Sequence, residues 1–127
     1  MTVIASWNIN SIRIRLELIK KFLQKVKPDV LLFQEIKCTN EDFPDFFKNL
    51  GYETIVNGQK GKYGTAVIYK KDIHVDEIQI DDDIIKKESR TNFIYIKKFD
   101  LNILNVYTPN GNPISNKEKF DFKLNWL

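Results

Sequence analysis

A chain of 127 residues can bury one real core, and 43% hydrophobic content with 13% aromatics excludes a disordered segment. The net charge of +3 is too mild to mark a nucleic-acid binder by itself, and no apolar run approaches the roughly 20 residues of a membrane span. The single cysteine, Cys38, leaves no internal disulfide, which fits a reducing cytoplasm. The first residues hold no basic segment followed by an apolar one, so neither a secretory signal nor a membrane partner is expected.

Residues 2–8 alternate, with Val3, Ala5 and Trp7 on one side, and read as a first strand. From Arg13 to Val26 the spacing changes. Ile19, Phe22, Leu23 and Val26 stand at i, i+3, i+4 and i+7, which predicts a helix that Pro28 stops. Val30, Leu31, Leu32 and Phe33 then form an unbroken apolar run, too short for a helix and not alternating. That is how a strand buried on both faces reads. Strand, helix and strand make a right-handed βαβ unit with parallel strands, which puts Asn8 and Glu35 on the same sheet edge. Open α/β sheets bind ligands at that edge.

Thr39 or Asn40 is placed to cap a second helix running to Leu50, with Gly51 just beyond it. Residues 53–57 and 64–69 read as short strands around a glycine-flanked loop, and residues 73–80 as a loosely alternating strand. Residues 91–97 and 101–107 alternate clearly and join through Lys98-Phe99-Asp100 as an antiparallel hairpin, so the sheet is mixed. Asp81, Asp82 and Asp83 suit a solvated turn, and Phe120, Leu124 and Leu127 place a further helix from Lys117. The expectation is a single α/β unit over residues 1–127.

Four segments carry groups suited to phosphate or a hard cation: Asn8-Ile9-Asn10, Gln34-Glu35, the loop around Lys60 and Lys62, and Tyr107 to Gly111. Carboxamides, one carboxylate and a tyrosine make a poor zinc site. They suit magnesium, which prefers oxygen and keeps several waters. Taken singly each segment has a structural explanation: asparagines form turns, lysines solvate loops, and tyrosines sit half-buried.

Together the segments resemble the exonuclease III type of abasic-site endonuclease, within the endonuclease, exonuclease and phosphatase superfamily. Trp7-Asn8-Ile9-Asn10 with Ile12-Arg13 is similar to that family's first motif, and Pro28-Asp29-Val30 through Gln34-Glu35-Ile36-Lys37 to its second. Gly58-Gln59-Lys60-Gly61-Lys62-Tyr63-Gly64 resembles its DNA-facing loop, and Asn105-Val106-Tyr107-Thr108-Pro109-Asn110-Gly111 its tyrosine motif. The resemblance implies half of a four-layer αββα sandwich: one mixed sheet with helices on one face and an apolar face left uncovered. It implies that Glu35 is the metal ligand for magnesium, or manganese in its place, with Asn8 and Asn10 lining the metal and nucleophile side. Tyr107 would bond the scissile phosphate, making Tyr107 and Asn8 the catalytic pair. Arg13, Lys60, Lys62, Arg90 and Asn110 would hold the backbone of double-stranded DNA carrying abasic sites or 3′ ends.

Two departures lie inside the motifs, where Ser11 and Ser89 stand in place of the family's usual glycines. A larger one is that the family's later motifs, a Gly-Asp-x-Asn segment, a further aspartate and an Asp-His pair, have no counterpart. His74, the only histidine, reads as a solvent-facing strand residue. The chain is therefore expected to be an incomplete N-terminal half, inactive alone. Its rivals are a non-enzymatic DNA-binding remnant, a subunit that pairs with a complementing C-terminal half, and a phosphatase of small or lipid phosphates.

Overall fold

The computed structural model describes residues 1–80 and 88–109. The expected turn at residues 81–83, the helix from residue 117 and Asn110 lie outside the described residues. Strand β1 (Ile4–Asn8) leads through a 3-10 turn at Ile12–Ile14 into helix α1 (Leu16–Val26), and β2 (Val30–Gln34) follows. β1 and β2 are parallel, as a βαβ crossover requires, with Asn8 opposite Gln34. Residues 13–15 fall outside the helix expected over 13–26. Lys27, in the left-handed region, closes α1 by donating its N–H to the Leu23 carbonyl.

Strands β3 (Tyr52–Asn57) and β4 (Thr65–Lys70) form an antiparallel pair, and β4 lies against β2, giving a four-stranded sheet in the order β1-β2-β4-β3. A second sheet holds β5 (Val75–Glu77), β6 (Thr91–Ile96) and β7 (Leu101–Val106), all antiparallel. The β6–β7 hairpin turns at Lys97–Phe99 with Asp100 in the left-handed region, as its sequence predicts.

The mixed α/β half-fold agrees with expectation, but its strands divide between two sheets. β2 and β4 carry large apolar residues on both faces, so each face needs a cover. On one face Ile19 and Leu23 of α1 pack with Leu31, Phe33, Phe47 and Ile68. On the other, Val30, Leu32 and Val67 pack against Ile94 and Ile96 of the second sheet. The apolar face expected to stay open is thus closed over β2 and β4. Large apolar side chains left exposed on strands are Ile4, Leu101 and Leu104, the last 52% accessible.

The helix expected over residues 39–50 is absent. Thr39 accepts the Asp42 N–H in a single turn, and only a 3-10 turn at Phe46–Leu50 follows, ended by Gly51 at φ 87°. Pro44 is the physical reason, since it has no N–H to donate, its ring clashes with the carbonyl four residues back, and it pushes Phe43 away from helical angles. The aromatic rings of Phe43, Phe46 and Phe47 still stack in this segment, 4.3–5.6 Å apart, and Phe47 caps the core beside Phe33.

Candidate functional site

The parallel pairing of β1 and β2 delivers Asn8 and Glu35 to one edge, and backbone hydrogen bonds beyond the strands tie four loops together there. Ser11 N–H donates to the Glu35 carbonyl, Ile36 N–H to Gly64, Lys37 N–H to Tyr63, Gly64 N–H to Ser89, and Tyr107 N–H to Arg90. The segments singled out in sequence are therefore held as one surface. Gly58 and Gly64 are needed for it: a Cβ on Gly58 would meet the Cys38 carbonyl at 2.5 Å, and one on Gly64 would meet the Ile36 side chain at 2.5 Å.

Glu35 is at the centre, with φ 60° and a side chain 19% exposed. Tyr107 donates its hydroxyl to Glu35 Oε1 at 2.6 Å, and Lys37 Nζ lies 3.6 Å from Oε2. Burial, then the hydrogen bond to Glu35, pushes the Tyr107 phenol up to about 12. At neutral pH it is a protonated donor, able to bond an anionic oxygen.

Asn8 and Asn10 are exposed beside this pair, and Asn8 Oδ1 accepts the Asn10 N–H at 3.2 Å. Lys60 and Lys62 are exposed on the glycine-flanked loop, with Lys62 Nζ 5.1 Å from the Tyr63 ring centre. Arg13 reaches over the Lys37 carbonyl at 3.3 Å with half of its side chain exposed. Arg90 is placed differently from the expectation of a backbone-holding cation. It is 4% exposed, stacked 4.3 Å from the Tyr63 ring centre and 4.9 Å from that of Tyr107, paired with Glu88, and donating to the Tyr107 carbonyl. Its guanidinium faces the two tyrosines rather than solvent.

The two departures behave differently. Ser11 has φ 79° and ψ 99°, a conformation that favours glycine. Ser89 instead uses its hydroxyl to bond the Gly58 carbonyl and its N–H to bond Gln59. His74 is exposed beside Asp76 at the Ile96 end of β6. Five residue steps separate that end from Thr91 on the site edge, roughly 16 Å along the strand.

The oxygen donors of Glu35, Asn8 and Asn10 suit a hard, partly hydrated cation, since magnesium needs few protein ligands. Lys37 shares the carboxylate now, and among the described residues no three His, Cys, Asp or Glu converge on a metal position. The donors fit magnesium in kind, with one carboxylate.

Sequence reasoning named Gln34 and Asn105 inside motifs without giving either a role, and passed over Asn92. Gln34, Asn92 and Asn105 form a polar cluster between the sheets, with Gln34 Nε2 donating to Asn105 Oδ1 at 2.8 Å and Asn105 Nδ2 to Asn92 Oδ1 at 3.0 Å. A signal was present. Asn92 shares its alternation phase with Ile94 and Ile96, and Asn105 with Ile103, so polar residues stand at core positions.

The two packed sheets with α1 outside them form an α/β half-sandwich, and the chain belongs to the endonuclease/exonuclease/phosphatase family, whose pattern matches residues 5–119. It is 34% identical to exodeoxyribonuclease III of Haemophilus influenzae over 126 residues, covering 93% of this chain and 45% of that protein. Among solved structures it superimposes on an AP endonuclease from Archaeoglobus fulgidus with TM-score 0.87 and 35% identity, over 99% of this chain and 48% of that one. It also matches a 3′ phosphatase, NExo, from Neisseria bound to a product DNA hairpin, with TM-score 0.81, 26% identity and the same shares. The chain spans about half the length of these relatives. No helix among the described residues is long and apolar enough to cross a membrane.

Proposed function

We propose that these residues are the N-terminal half, a single unit, of a magnesium-dependent DNA phosphodiesterase of the exonuclease III type. Such an enzyme would cut duplex DNA beside abasic sites and remove nucleotides from 3′ ends. The observation that carries this reading is the 2.6 Å contact of Tyr107 with Glu35, on an edge flanked by exposed Lys60, Lys62 and Arg13. Glu35, with Asn8 and Asn10, would hold the magnesium ion, or manganese in its place. When bound, the ion supplies a Lewis acid for a phosphoryl oxygen. Tyr107, kept protonated, donates to the scissile phosphate as negative charge builds on it. Lys60, Lys62 and Arg13, with Asn110, contact backbone phosphates and set the register of the duplex without reading its sequence. Arg90 serves from below by holding Tyr63 and Tyr107.

Neither Glu35 nor His74 is placed to take a proton from water. Glu35 is engaged by Tyr107 and Lys37, and His74 stands at the other end of its sheet. General base action is worth on the order of 10² to 10⁴ in rate, so these residues alone should not turn over abasic DNA even at saturating magnesium. A complementing half, supplied covalently or as a separate chain, would provide the missing group.

The test is cleavage of a duplex carrying one abasic analogue by the chain alone, by the chain with the corresponding half of a relative, and by Glu35→Gln in both settings. Cleavage only with the second half, lost in Glu35→Gln, is the expected result. Magnesium-dependent cleavage by the chain alone, abolished by Glu35→Gln, overturns the incomplete site. No cleavage by a complex shown to assemble and bind DNA overturns the nuclease reading and leaves a DNA-binding module.

A further inference from the structure

Tyr107 and Glu35 belong to different sheets, and a hydroxyl reaches a carboxylate across a sandwich only if the two sheets stay in one register. Aliphatic packing does not set that register finely, because Val30, Leu32, Val67, Ile94 and Ile96 offer no directional contact. The directional contacts lie at the site end: Asn57 Nδ2 of β3 donates to the Thr91 carbonyl of β6 at 2.9 Å, and a larger set converges on one side chain. Asn105, two residues before Tyr107 on β7, is 2% exposed and points into the space between the sheets. Its Nδ2 lies 2.9 Å from the Phe33 carbonyl and 3.2 Å from the Ala66 carbonyl, on the neighbouring strands β2 and β4. Carbonyls only accept, so the nitrogen must face them, which fixes the amide orientation. Its Oδ1 then meets Gln34 Nε2 at 2.8 Å. Gln34 immediately precedes Glu35, and its amide also reaches Ser6 Oγ on β1 at 3.0 Å. One carboxamide of the second sheet is thus bonded to two strands of the first and to the residue next to Glu35.

We propose that Asn105 is a positioning residue: its carboxamide keys the second sheet to the first and thereby holds the Tyr107 hydroxyl on Glu35. A hydrophobic residue at this position would pack but could not choose between neighbouring offsets. Asn92 lies on β6 directly opposite Asn105 and accepts the same nitrogen, which keeps the Asn105 side chain in its rotamer. The chain of dependence is short. Asn105 fixes β7 over β2, Tyr107 directly follows β7, and Glu35 directly follows β2.

The assignment deepens the nuclease reading, since Glu35 and Tyr107 matter through it, yet its test uses no DNA. The full chain is labelled with ¹³C at tyrosine Cζ, and the Tyr107 resonance is identified by its loss in Tyr107→Phe. Glu35→Gln sets the displacement expected when the phenol loses its carboxylate partner. Asn105→Leu, and the milder Asn105→Ser should the first fail to fold, should each move the Tyr107 resonance at least half of that way. Ile103→Ala is the control, because Ile103 lies on the same face of β7, packs in the same core and makes no polar bond there. It should lower the melting temperature and leave the resonance in place. An unmoved resonance in the folded Asn105 variants overturns the proposal. So does an equal displacement in Ile103→Ala, which would make the effect one of packing alone. A nuclease reading that failed on DNA would leave this spectroscopic result as it stands, so the two failures are separable.

Discussion

The two ends of the four-stranded sheet are built in opposite ways. At the site end Asn10, Ser11, Glu35, Lys37 and Tyr63 all have positive φ, although none is glycine. At the other end Lys27 and Gly51 are the positive-φ positions of this sheet, and both close helical turns, where that conformation is ordinary. That far end is instead an anchor. Asp29 accepts the Val3 N–H at 2.8 Å and Lys70 Nζ at 3.3 Å, while Tyr52, almost buried, donates to the Pro28 carbonyl at 2.8 Å. Left-handed conformations of non-glycine residues cost roughly 1–3 kcal/mol each and persist only where the surroundings enforce them. The sheet therefore concentrates stability at one end and strain at the other, where the loops present Glu35 and Tyr107. Substitutions that relieve local misfit should stabilise the site end, whereas the anchor end should only lose.

The largest effect is expected at the anchor. Tyr52→Ala removes a buried ring from the helix-side core and orphans the Pro28 carbonyl, so it should cost about 4 kcal/mol in urea unfolding. A cost under about 1 kcal/mol would mean that this end does not carry the fold.

Asp29→Ala comes next, at about 2 kcal/mol, the usual worth of hydrogen bonds to a charged group. Its signature is in the pH dependence. The Val3 backbone hydrogen bond, aided by Lys70, holds the Asp29 carboxyl below its ordinary value of 3.8, against the opposing effect of burial. A depressed folded pKa gives stability that is full above the ordinary value and is lost as pH falls through the lowered one. The gap between wild type and Asp29→Ala should thus be constant near neutrality and close in acid. A gap that persists unchanged into strong acid would assign the effect to packing instead.

These contrasts also mark where the sequence was readable. β1, α1 and the β6–β7 hairpin follow from apolar periods of 2 and 3.6, and β2 from a short unbroken apolar run, all local properties of the chain. Glu35 and Tyr107 stood out in the sequence because they end such elements, and Lys60 and Lys62 because glycines flank them, while the roles given to them came from the family resemblance. Pro44 was equally local and was passed over, which is why a helix was expected where turns occur. The division into two sheets was less accessible, since it depends on β5 pairing with β6 rather than with β3 or β4, a choice made by distant partners. Arg90 was read as facing DNA from the family resemblance, but only the tertiary structure reveals the rings of Tyr63 and Tyr107 packed against its guanidinium.

At the site end the sign should reverse. Ser11→Gly replaces a residue at φ 79° with the one best suited to that conformation. Relief of strain is offset in part by the greater unfolded-state entropy of glycine, leaving a gain of about 1 kcal/mol, or about 4 °C in Tm. A lower Tm would show that Ser11 is held by a contact worth more than its backbone strain.

The smallest expected effect is also the most local. Thr65 opens β4 opposite Gln34 and shares its strand face with Val67, which faces the second sheet. It is fully buried, and among the described residues its hydroxyl has no hydrogen-bond partner. The neighbouring polar groups are engaged with one another: Gln34 with Ser6 and Asn105, and Asn105 with Asn92 and two carbonyls. A buried hydroxyl that has lost water and gained no partner is a net cost, and valine keeps the same branched shape without it. Thr65→Val should therefore be neutral or stabilising by up to about 1 kcal/mol, with the Glu35–Tyr107 contact intact. The result separates two kinds of polar residue between the sheets, those that key the register and one that merely tolerates its position. A loss above about 1 kcal/mol in Thr65→Val would place Thr65 in the first group and extend the keying cluster along β4.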